Sequence, residues 1–275
     1  MDQSIETRIS PHTRFIISTS GRPSSMARYK KLLQEELSLD IVYLPLAPHR
    51  ANGLIDPQDF THIITGLGAI GGAISKDIKG KVIPFLDQLD DSAKQVQSVN
   101  TVINKEGKLI GYNTDAMGFS AAIREGIKNS GETIRKAVVY GYGGVFNVVY
   151  HELKKLGIEV VLTGRNPEKV GEVSNAFGLT SFTGEADLFV NATPVTDEPL
   201  HHAENFLDAI KNCSVVFDHH MPGQALMDYC AAERKHYIPG TAMYYPQMIK
   251  QWALFLKAFV SADKVESALN NLLSQ

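Results

Sequence analysis

Two short polar segments beside a predicted β-hairpin carry side chains that could bind a small polar molecule. Asn100 and Thr101 belong to the strand Val99–Asn104, and Asn113-Thr114-Asp115 follows the strand Lys108–Tyr112 after a Lys-Glu-Gly-Lys turn. A carboxylate held among hydroxyl and amide groups can accept hydrogen bonds from substrate hydroxyls. The same residue types also cap helices, so the hairpin alone leaves open both a substrate site and ordinary capping.

Two glycine motifs compete for a dinucleotide cofactor. The literal G-x-G-x-x-G at residues 66–71 has a predicted helix before it and a strand after it, the reverse of the order that the fingerprint needs. The turn Gly141–Gly144 instead follows the buried strand Lys136–Tyr140 and precedes the helix Val145–Leu156. Its glycines let the backbone approach a pyrophosphate, which the free amides of a helix start bind. We therefore predict a cofactor turn here, in preference to a plain strand–helix turn.

The next strand, Glu159–Thr163, favours NADP over NAD. An NAD site needs an acidic residue after this strand, whereas a 2′-phosphate needs an arginine. Arg165 occupies that place and Lys169 lies about one helical turn further on. The alternative is that both cations form a solvated surface.

A nicotinamide enzyme that oxidises an alcohol also needs a base for the hydroxyl proton. Lys76 and Lys79 are candidates because they follow a strand end that could face the hairpin tip. Asp115 could orient the lysine ammonium and bind a substrate hydroxyl. The alternative for either lysine is a role on the solvated surface.

Composition excludes several other classes of protein. The chain has 275 residues and a net charge of -3, so we expect no nucleic-acid or membrane partner. Its two cysteines, Cys213 and Cys230, form no C-x-x-C pair, which fits a reducing cytoplasm rather than a disulfide framework or zinc site. The first residues lack an apolar core and do not resemble a signal peptide.

The order of predicted elements indicates an α/β fold with parallel sheets. Before the hairpin we predict strands at Arg14–Ser18, Ile41–Leu46 and Ile70–Ser75 and helices at Met26–Leu37 and Pro57–Leu67. We also predict a polar loop at 19–25 and a helix start at Lys79–Leu86. After the hairpin, helices alternate with strands. The predicted helices are Ala116–Ser130, Val145–Leu156, Pro167–Phe177 and Leu226–Arg234. The predicted strands are Lys136–Tyr140, Glu159–Thr163, Thr180–Phe182, Leu188–Asn191, Val215–Asp218 and Tyr237–Pro239. Two helices, Tyr245–Phe259 and Ala262–Leu273, close the chain.

Taken together, the motifs resemble those of the shikimate dehydrogenase family over most of the chain. The chain resembles the family's A-V-N-T at 98–101, its N-T-D at 113–115 and its N-V-T-x-P-x-K at 73–79. It also resembles the family's G-A-G-G at 141–144, N-R-T at 163–166, N-A-T at 191–193 and G-x-x-M-x-x-x-Q at 240–247. Gly118-Phe119 and Leu86-Asp87 also stand at the family's spacing. This alignment chooses Lys79 over Lys76 as the base.

The resemblance implies a role for each matched residue. Lys79 is implied as the catalytic base and acid, with Asp115 as its partner. The implied substrate ligands are Ser24, Ser25, Ser75, Asn100 and Gln247, and the implied cofactor ligands are Gly141, Gly143, Gly144, Val145, Thr163, Arg165, Asn166, Thr193 and Gly240. The activity implied is NADP-dependent interconversion of shikimate and 3-dehydroshikimate in aromatic amino-acid biosynthesis, by a monomer or homodimer.

Several positions depart from the family pattern. In the first loop, Ser24 and Ser25 are followed by Met26-Ala27 instead of proline, and the Ser-Gly-Arg-Pro-Ser run resembles a divergent subgroup. Further departures are Ala73 and Asp77 in the lysine segment, Asn147 after the glycine turn, and His220 in place of a tyrosine. A charge at Asp77 could raise the pKa of Lys79 if the two are close.

We therefore predict two α/β domains, with the active site in the cleft between them. Residues 1–115 with 242–275 form the substrate domain, the closing helices packing back on it, and residues 116–241 form a Rossmann-type NADP domain. Three alternatives remain: a quinate or other cyclic hydroxy-acid dehydrogenase, a non-catalytic sensor of NADP or a metabolite, and a methylene-tetrahydrofolate dehydrogenase. The last gives no reason for the N-T-D segment and Gln247 together.

Overall fold

The chain forms two compact units. The structure, a computed structural model, describes residues 9–19, 23–46, 55–75, 78–193, 195, 205–219 and 223–273. One unit comprises Met1–Thr114 with Met248–Gln275, and the other comprises Asp115–Gln247. The bounds predicted from the sequence, after Asp115 and before Ala242, lie near this division.

The first unit contains a mixed sheet of six strands among the described residues. The strands are β1 (Arg14–Ser18), β2 (Ile41–Pro45), β3 (Gly71–Ala73), β4 (Gln88–Leu89), β5 (Thr101–Lys105) and β6 (Lys108–Tyr112), in the order β2-β1-β3-β5-β6-β4. β1 pairs in parallel with β2 and β3, whereas β5 is antiparallel to β3 and β6. The sheet is mixed because the predicted hairpin reverses the chain; its second strand has the predicted bounds, and its first begins at Thr101, two residues later than predicted.

Helices α1 (Pro23–Lys30), α2 (Pro57–Gly66), α3 (Asp91–Val96) and α10 (Ala262–Leu273) belong to the same unit. Asp56 caps α2 by accepting the amide protons of Gln58 and Asp59. One face of α2 buries Phe60 and Ile64, four residues apart, in the core with Val102.

The second unit is built on a wholly parallel sheet of five strands. The strands are β7 (Lys136–Tyr140), β8 (Glu159–Thr163), β9 (Leu188–Asn191), β10 (Val215–Asp218) and β11 (His236–Ile238), in the order β11-β10-β9-β7-β8. The helices are α4 (Thr114–Ser130), α5 (Phe146–Lys155), α6 (Pro167–Phe177), α7 (Phe206–Ile210), α8 (Gln224–Ala232) and α9 (Thr241–Leu256), the last of which continues into the first unit. This is a doubly wound α/β domain, as the alternating pattern predicts.

The strand order creates a switch point between β7 and β9. The chain leaves β7 toward β8 on one side, and then returns past β7 to form β9 on the other. In open α/β sheets, ligands bind at such a point, outside the carboxyl ends of the strands. The runs Ala137–Tyr140 and Leu188–Asn191 are buried throughout, as expected of strands covered on both faces.

Several predicted elements differ from the structure. The polar loop at 19–25 ends early, because Pro23 with its fixed φ begins α1 and places Ser24 and Ser25 in the first helical turn. The predicted helix Met26–Leu37 changes at Lys31 into a π-helix that ends at Glu36. Thr180–Phe182 makes a single bridge, between Ser181 and Leu162.

The helix start predicted at Lys79–Leu86 is also wrong. The segment forms turns followed by one 3-10 turn at Ile83–Phe85. Gly80 and Pro84 are poor helix formers, since glycine is flexible and proline lacks an amide proton.

The literal glycine motif at 66–71 is not a cofactor turn. Helix α2 ends at Gly66 and β3 begins at Gly71, so the order of elements is reversed, as predicted. Its last glycine serves packing, because a side chain on Gly71 would collide with the carbonyl oxygen of Val102. No helix of the described residues has the length and apolarity to cross a membrane.

Candidate active site

One edge of the first sheet gathers the polar segments. Ser18, Ala73, Thr101 and Tyr112 are successive partners across β1, β3, β5 and β6, so they form one row. The residues next to this row are Thr19, Ser75, Asn100 and Asn113–Asp115. Strand pairing thus brings together groups that lie far apart in the sequence.

Ser75 lies at this edge and is held by Thr19. The Ser75 amide donates to Thr19 Oγ1 at 2.8 Å, the two hydroxyl oxygens are 3.0 Å apart, and the Thr19 amide donates to the Ala73 carbonyl at 3.0 Å. Thr19 escaped the sequence analysis. The signal was present, because Thr19 directly follows a strand that is parallel to β3.

The two serines predicted to lie in the first loop belong to helix α1 instead. Ser24 and Ser25 are helical, and Ser25 is half-buried. Residues 20–22, which carry the Ser-Gly-Arg part of the motif, lie outside the described residues, as do Lys76 and Asp77. The substrate-binding role of Ser24 and Ser25 therefore stays a prediction.

Lys79 is fixed through its backbone to the hairpin. The Val99 amide donates to the Lys79 carbonyl at 2.9 Å, and Val99 is fully buried. Lys79 itself is half-buried. The residue after Val99 is Asn100, so the predicted base is tied to the start of the V-N-T segment.

Asn100 connects that segment to the start of α4. Its Oδ1 accepts the Thr101 hydroxyl at 2.8 Å and the Thr114 amide at 3.0 Å, and its Nδ2 donates to Thr114 Oγ1 at 2.9 Å. All three residues are buried. These bonds give Asn100 a positioning role, and its predicted contact with a substrate hydroxyl stays a prediction.

Asp115 follows Thr114 in the first turn of α4, where a carboxylate interacts favourably with the helix dipole. Its side chain is only 7% exposed. One turn later, Gly118 lets α9 approach: a Cβ on Gly118 would collide with the Met243 carbonyl and lie 2.8 Å from Gln247 Cβ. The structure thus places Gln247 beside the helix that carries Asp115.

Gln251, which the sequence analysis missed, lies one turn after Gln247 in α9. Its Nε2 donates to Thr101 Oγ1 at 2.8 Å and to the Asn100 carbonyl at 3.2 Å. The spacing of four residues was a signal, since it places two residues on one helix face.

In the second unit, the glycine turn lies at the switch point. Tyr140 pairs with Thr163 on one side and Asn191 on the other. Gly141 follows with φ +107°, and a Cβ there would lie 2.5 Å from Thr193 Cγ2. Such a backbone conformation and close approach require glycine.

The remaining glycines of the turn fit a pyrophosphate. Gly143 and Gly144 are exposed, and a Cβ on either would meet no atom within 4 Å. Helix α5 begins at Phe146, with Val145 at its N-cap, one residue later than predicted. An open glycine turn at a helix start offers free amides to an anion, as a dinucleotide site needs.

Asn191 holds the loop that follows β9. Its Oδ1 accepts the Thr193 hydroxyl at 2.7 Å and the Thr193 amide at 3.0 Å. Its Nδ2 donates to the Val195 carbonyl at 2.8 Å and to Asp218 Oδ1 at 3.0 Å. Thr193 is therefore held against Gly141, and its predicted contact with the cofactor stays a prediction.

Asp218 is a buried carboxylate at the end of β10 that the sequence analysis did not single out. Besides Asn191, it accepts the Tyr237 hydroxyl at 3.2 Å. Burial, and then the charge and hydrogen bond of Asp218, raise the pKa of Tyr237 above its usual range. His220, the departure noted from the family pattern, lies outside the described residues.

The predicted phosphate clamp follows β8. Arg165 is exposed, while Asn166 caps α6 by accepting the Lys169 amide at 3.1 Å. The Lys169 ammonium pairs with Glu172 at 2.7 Å, and this bond raises the pKa of Lys169. The Tyr142 ring lies against Gly164, where a Cβ would be 3.3 Å from its Cε1.

The comparisons with known proteins agree with this geometry. A shikimate dehydrogenase-like protein of Haemophilus influenzae is 30% identical over 277 aligned residues, which cover 94% of this chain and 97% of that protein. The chain belongs to the shikimate dehydrogenase family. Predicted from the motifs, this membership is confirmed.

Two further similarities extend the comparison. An NADP-dependent shikimate dehydrogenase of Carboxydothermus hydrogenoformans is 33% identical over 175 residues, which span 62% of this chain and 59% of that enzyme. The solved structure of a shikimate 5-dehydrogenase-like protein superposes with a TM-score of 0.76 at 26% identity, covering 97% of this chain and 100% of the other. These findings confirm the predicted α/β fold with a Rossmann-type domain. No family model matches the chain.

Proposed function

We propose that this protein is an NADP-dependent oxidoreductase that interconverts shikimate and 3-dehydroshikimate. The observation that carries the proposal is the arrangement at the start of β5. Val99 binds the backbone of Lys79, and the next residue, Asn100, binds Thr114, which precedes Asp115. Two consecutive residues just before β5 thus bind the backbone of a lysine and the start of a helix that carries a carboxylate.

Each of these groups has a place in the reaction. Lys79 takes the proton from the C3 hydroxyl during oxidation and returns it during reduction. Asp115 accepts a hydrogen bond from the lysine or a substrate hydroxyl, which keeps both in reach. NADP, when bound, accepts the hydride that leaves the carbinol carbon, so that the alcohol becomes a ketone.

In this proposal the substrate and the cofactor bind at the ends of different strands. Ser75 with Thr19, together with Ser24, Ser25, Asn100 and Gln247, would bind the hydroxyl and carboxylate groups of the substrate. The cofactor pyrophosphate would bind the turn 141–145, with Thr193 and Gly240 near it. Thr163, Arg165 and Asn166 would hold the adenosine 2′-phosphate, which an arginine binds through two hydrogen bonds.

A substrate panel tests the proposal directly. Oxidation of shikimate and quinate is followed with NADP and with NAD, and binding of each compound is measured in parallel by calorimetry. We expect turnover of shikimate with NADP. Turnover of quinate alone would move the protein to the quinate-dehydrogenase alternative.

A non-catalytic sensor is the second candidate, and one observation favours it. The Asn100 side chain is occupied by Thr101 and Thr114, so a residue that the family resemblance assigns to substrate serves the fold. Tight binding of NADP or shikimate without turnover of any compound in the panel would establish this role.

The catalytic assignment has its own test in Lys79→Ala. General acid–base catalysis contributes about 10²–10⁴-fold, so we expect kcat to fall by that factor while NADPH binding stays unchanged. Lys81→Ala is the matched control, since Lys81 is an exposed lysine two residues away. Equal turnover of the two variants would remove Lys79 from the mechanism.

The cofactor assignment is tested by Arg165→Gln. Loss of a charge-assisted bond to the 2′-phosphate should weaken NADPH by roughly tenfold or more and leave NADH nearly unchanged. Arg124→Gln, in the exposed part of α4, is the control. Equal weakening of both cofactors would contradict the phosphate-clamp role.

We also propose a cytoplasmic location, which Cys213 and Cys230 support because both are buried and unpaired. A monomer or homodimer is the proposed assembly, and sedimentation of the purified protein measures it.

A further inference from the structure

Gln251 is the outermost member of a chain of buried hydrogen bonds at the start of β5. It lies in α9, 150 residues from Thr101, and its Nε2 donates to Thr101 Oγ1 at 2.8 Å and to the Asn100 carbonyl at 3.2 Å. The Asn100 carbonyl also accepts the amide of Ile74, the residue before Ser75. Gln251 therefore binds the same carbonyl group as the residue before Ser75, which is a predicted substrate ligand.

The chain of bonds has a defined direction. A glutamine Nε2 only donates, so Thr101 Oγ1 must accept from it and send its own proton elsewhere. The acceptor is Asn100 Oδ1, 2.8 Å away, and Thr101 is fully buried. Gln251 thereby selects the orientation of the Thr101 hydroxyl.

The orientation of Asn100 follows from the same reasoning. The Thr114 amide can only donate, so the atom 3.0 Å from it is Oδ1, and the opposite atom, Nδ2, donates to Thr114 Oγ1 at 2.9 Å. The amide group of Asn100 thus accepts a hydrogen bond from the Thr101 hydroxyl and donates one to the Thr114 hydroxyl. Hydrogen bonds in such a series strengthen one another.

The end of the series is the first turn of α4. Thr114 is held by both its amide and its hydroxyl, and the next residue is Asp115. The first amides of a helix have no partner within the helix, so the bond to Asn100 also satisfies a donor that would otherwise be buried alone.

We propose that Gln251 is a positioning residue that orients Thr101 and Asn100 and thereby fixes the helix turn that carries Asp115. The inference rests on the proposed function for the role of Asp115. Gln251 acts through other side chains, so its loss should change turnover more than cofactor binding. It also gives the protein a determinant that the motif ending at Gln247 does not include.

The test combines a kinetic readout with one that needs no activity. In Gln251→Leu the donors are lost, and we expect kcat for shikimate to fall about tenfold with an unchanged KM for NADP. Hydrogen exchange of the Thr114 amide should become at least tenfold faster, because its acceptor is no longer held. Gln251→Glu keeps the side-chain size, removes both amide donors and serves if the leucine variant does not fold.

The matched control is Asn104→Ala. Asn104 lies in the same strand and also bonds to the backbone, donating to the Ala69 carbonyl at 3.0 Å and accepting the Gly107 amide at 2.8 Å. We expect this variant to lower Tm by an amount similar to Gln251→Leu, with kcat and Thr114 exchange unchanged. A purely structural role for Gln251 predicts the same behaviour for both variants.

The two readouts separate the possible failures. Unchanged exchange of Thr114 in Gln251→Leu would overturn the inference whether or not the enzyme turns over. Faster exchange with unchanged kcat would overturn the link to Asp115. Absence of turnover in the unaltered protein would contradict the proposed function, while the exchange experiment still decides whether Gln251 holds Thr114.

Discussion

Two buried asparagines, one in each unit, hold polar loops at strand ends in the same manner. Asn100 Oδ1 accepts the hydroxyl of Thr101 and the amide of Thr114, and Asn191 Oδ1 accepts the hydroxyl and the amide of Thr193. Each asparagine thus converts a threonine-rich segment into a rigid corner. In both the V-N-T and the N-A-T segment, the asparagine side chain positions neighbouring groups of the fold.

The two asparagines differ in the group to which Nδ2 donates. Asn100 Nδ2 donates to the neutral Thr114 hydroxyl, whereas Asn191 Nδ2 donates to the buried carboxylate of Asp218. We refer to Asn100, Thr101 and Thr114 as the Asn100 corner, and to Asn191, Thr193 and Asp218 as the Asn191 corner. The first holds a helix start by neutral bonds, while the second depends on a charge, which is more costly to leave without a donor.

The largest expected effect is therefore the loss of Asn191. Asn191→Ala removes a donor from a buried carboxylate as well as the bonds to Thr193, and we expect it to lower the free energy of unfolding by about 3–4 kcal/mol. Asn100→Ala leaves neutral groups unsatisfied, at a cost of about 2 kcal/mol. Urea unfolding followed by circular dichroism measures both values.

Asn212→Ala controls for the loss of a single exposed bond, here to the Gly184 carbonyl, and should cost under about 1 kcal/mol. If Asn100→Ala proves as destabilising as Asn191→Ala, the carboxylate of Asp218 does not distinguish the two corners.

A second, smaller effect concerns Gly141, which packs against the Asn191 corner. Gly141→Ala places a Cβ in a left-handed conformation and against Thr193 Cγ2, at an expected cost of about 2 kcal/mol. Because Asn191 holds Thr193 in place, the methyl group cannot move aside. Thr193→Ser keeps the hydroxyl and removes that methyl, so the double variant should recover about half of the loss, measured by the same unfolding experiment.

Gly143→Ala is the matched control, because a Cβ there meets no atom within 4 Å. We expect it to leave stability nearly unchanged and to weaken NADPH binding. No recovery in the Gly141→Ala, Thr193→Ser variant would mean that backbone strain alone accounts for the requirement for glycine.

The sequence predicted the fold best where local chemistry and burial agree. The run Lys136–Tyr140 is a strand with the predicted bounds because every residue from Ala137 to Tyr140 is buried. Helix Pro167–Phe177 also has the predicted bounds, since Asn166 caps its start and Gly178 ends it in the left-handed conformation. Prediction failed at Lys79–Leu86, where a helix start was predicted but Gly80 and Pro84 disfavour a helix.

The site was predicted in part for the same reason. Asn100 and Thr114 are joined by a hairpin, so their proximity follows from local pairing, and the N-T-D motif could be interpreted from the sequence. Gln251 and Thr19 contact distant segments, so the signals in the sequence, a four-residue spacing and a position directly after a strand, do not reveal which residues they bind. The family resemblance assigns Asn100 to the substrate, and this assignment stays a prediction, because residue type alone does not show how the bonds that Asn100 makes in the fold and a bond to substrate would be shared.

The smallest expected effect is on the pH dependence of stability, which should distinguish the core of the second unit from the Asn100 corner. The core of the second unit buries two thiols, and burial raises the pKa of Cys213 and of Cys230 to about 12. A thiol in the unfolded chain ionises near pH 8.5, so above that pH the unfolded state binds fewer protons than the folded state. Stability should therefore fall as pH rises, by up to about 1.4 kcal/mol per pH unit for each thiol.

Cys230→Ala should halve this alkaline slope between about pH 8.5 and 9.5, where the tyrosines of the unfolded chain are still largely protonated, even if the variant is less stable at pH 7. The free energy of unfolding is measured by urea titration at several pH values under reducing conditions. Asn100→Ala should lower the whole curve without changing its slope, because the Asn100 corner contains no ionisable side chain. If Asn100→Ala changes the slope as Cys230→Ala does, the alkaline sensitivity does not arise from the thiols of the second unit.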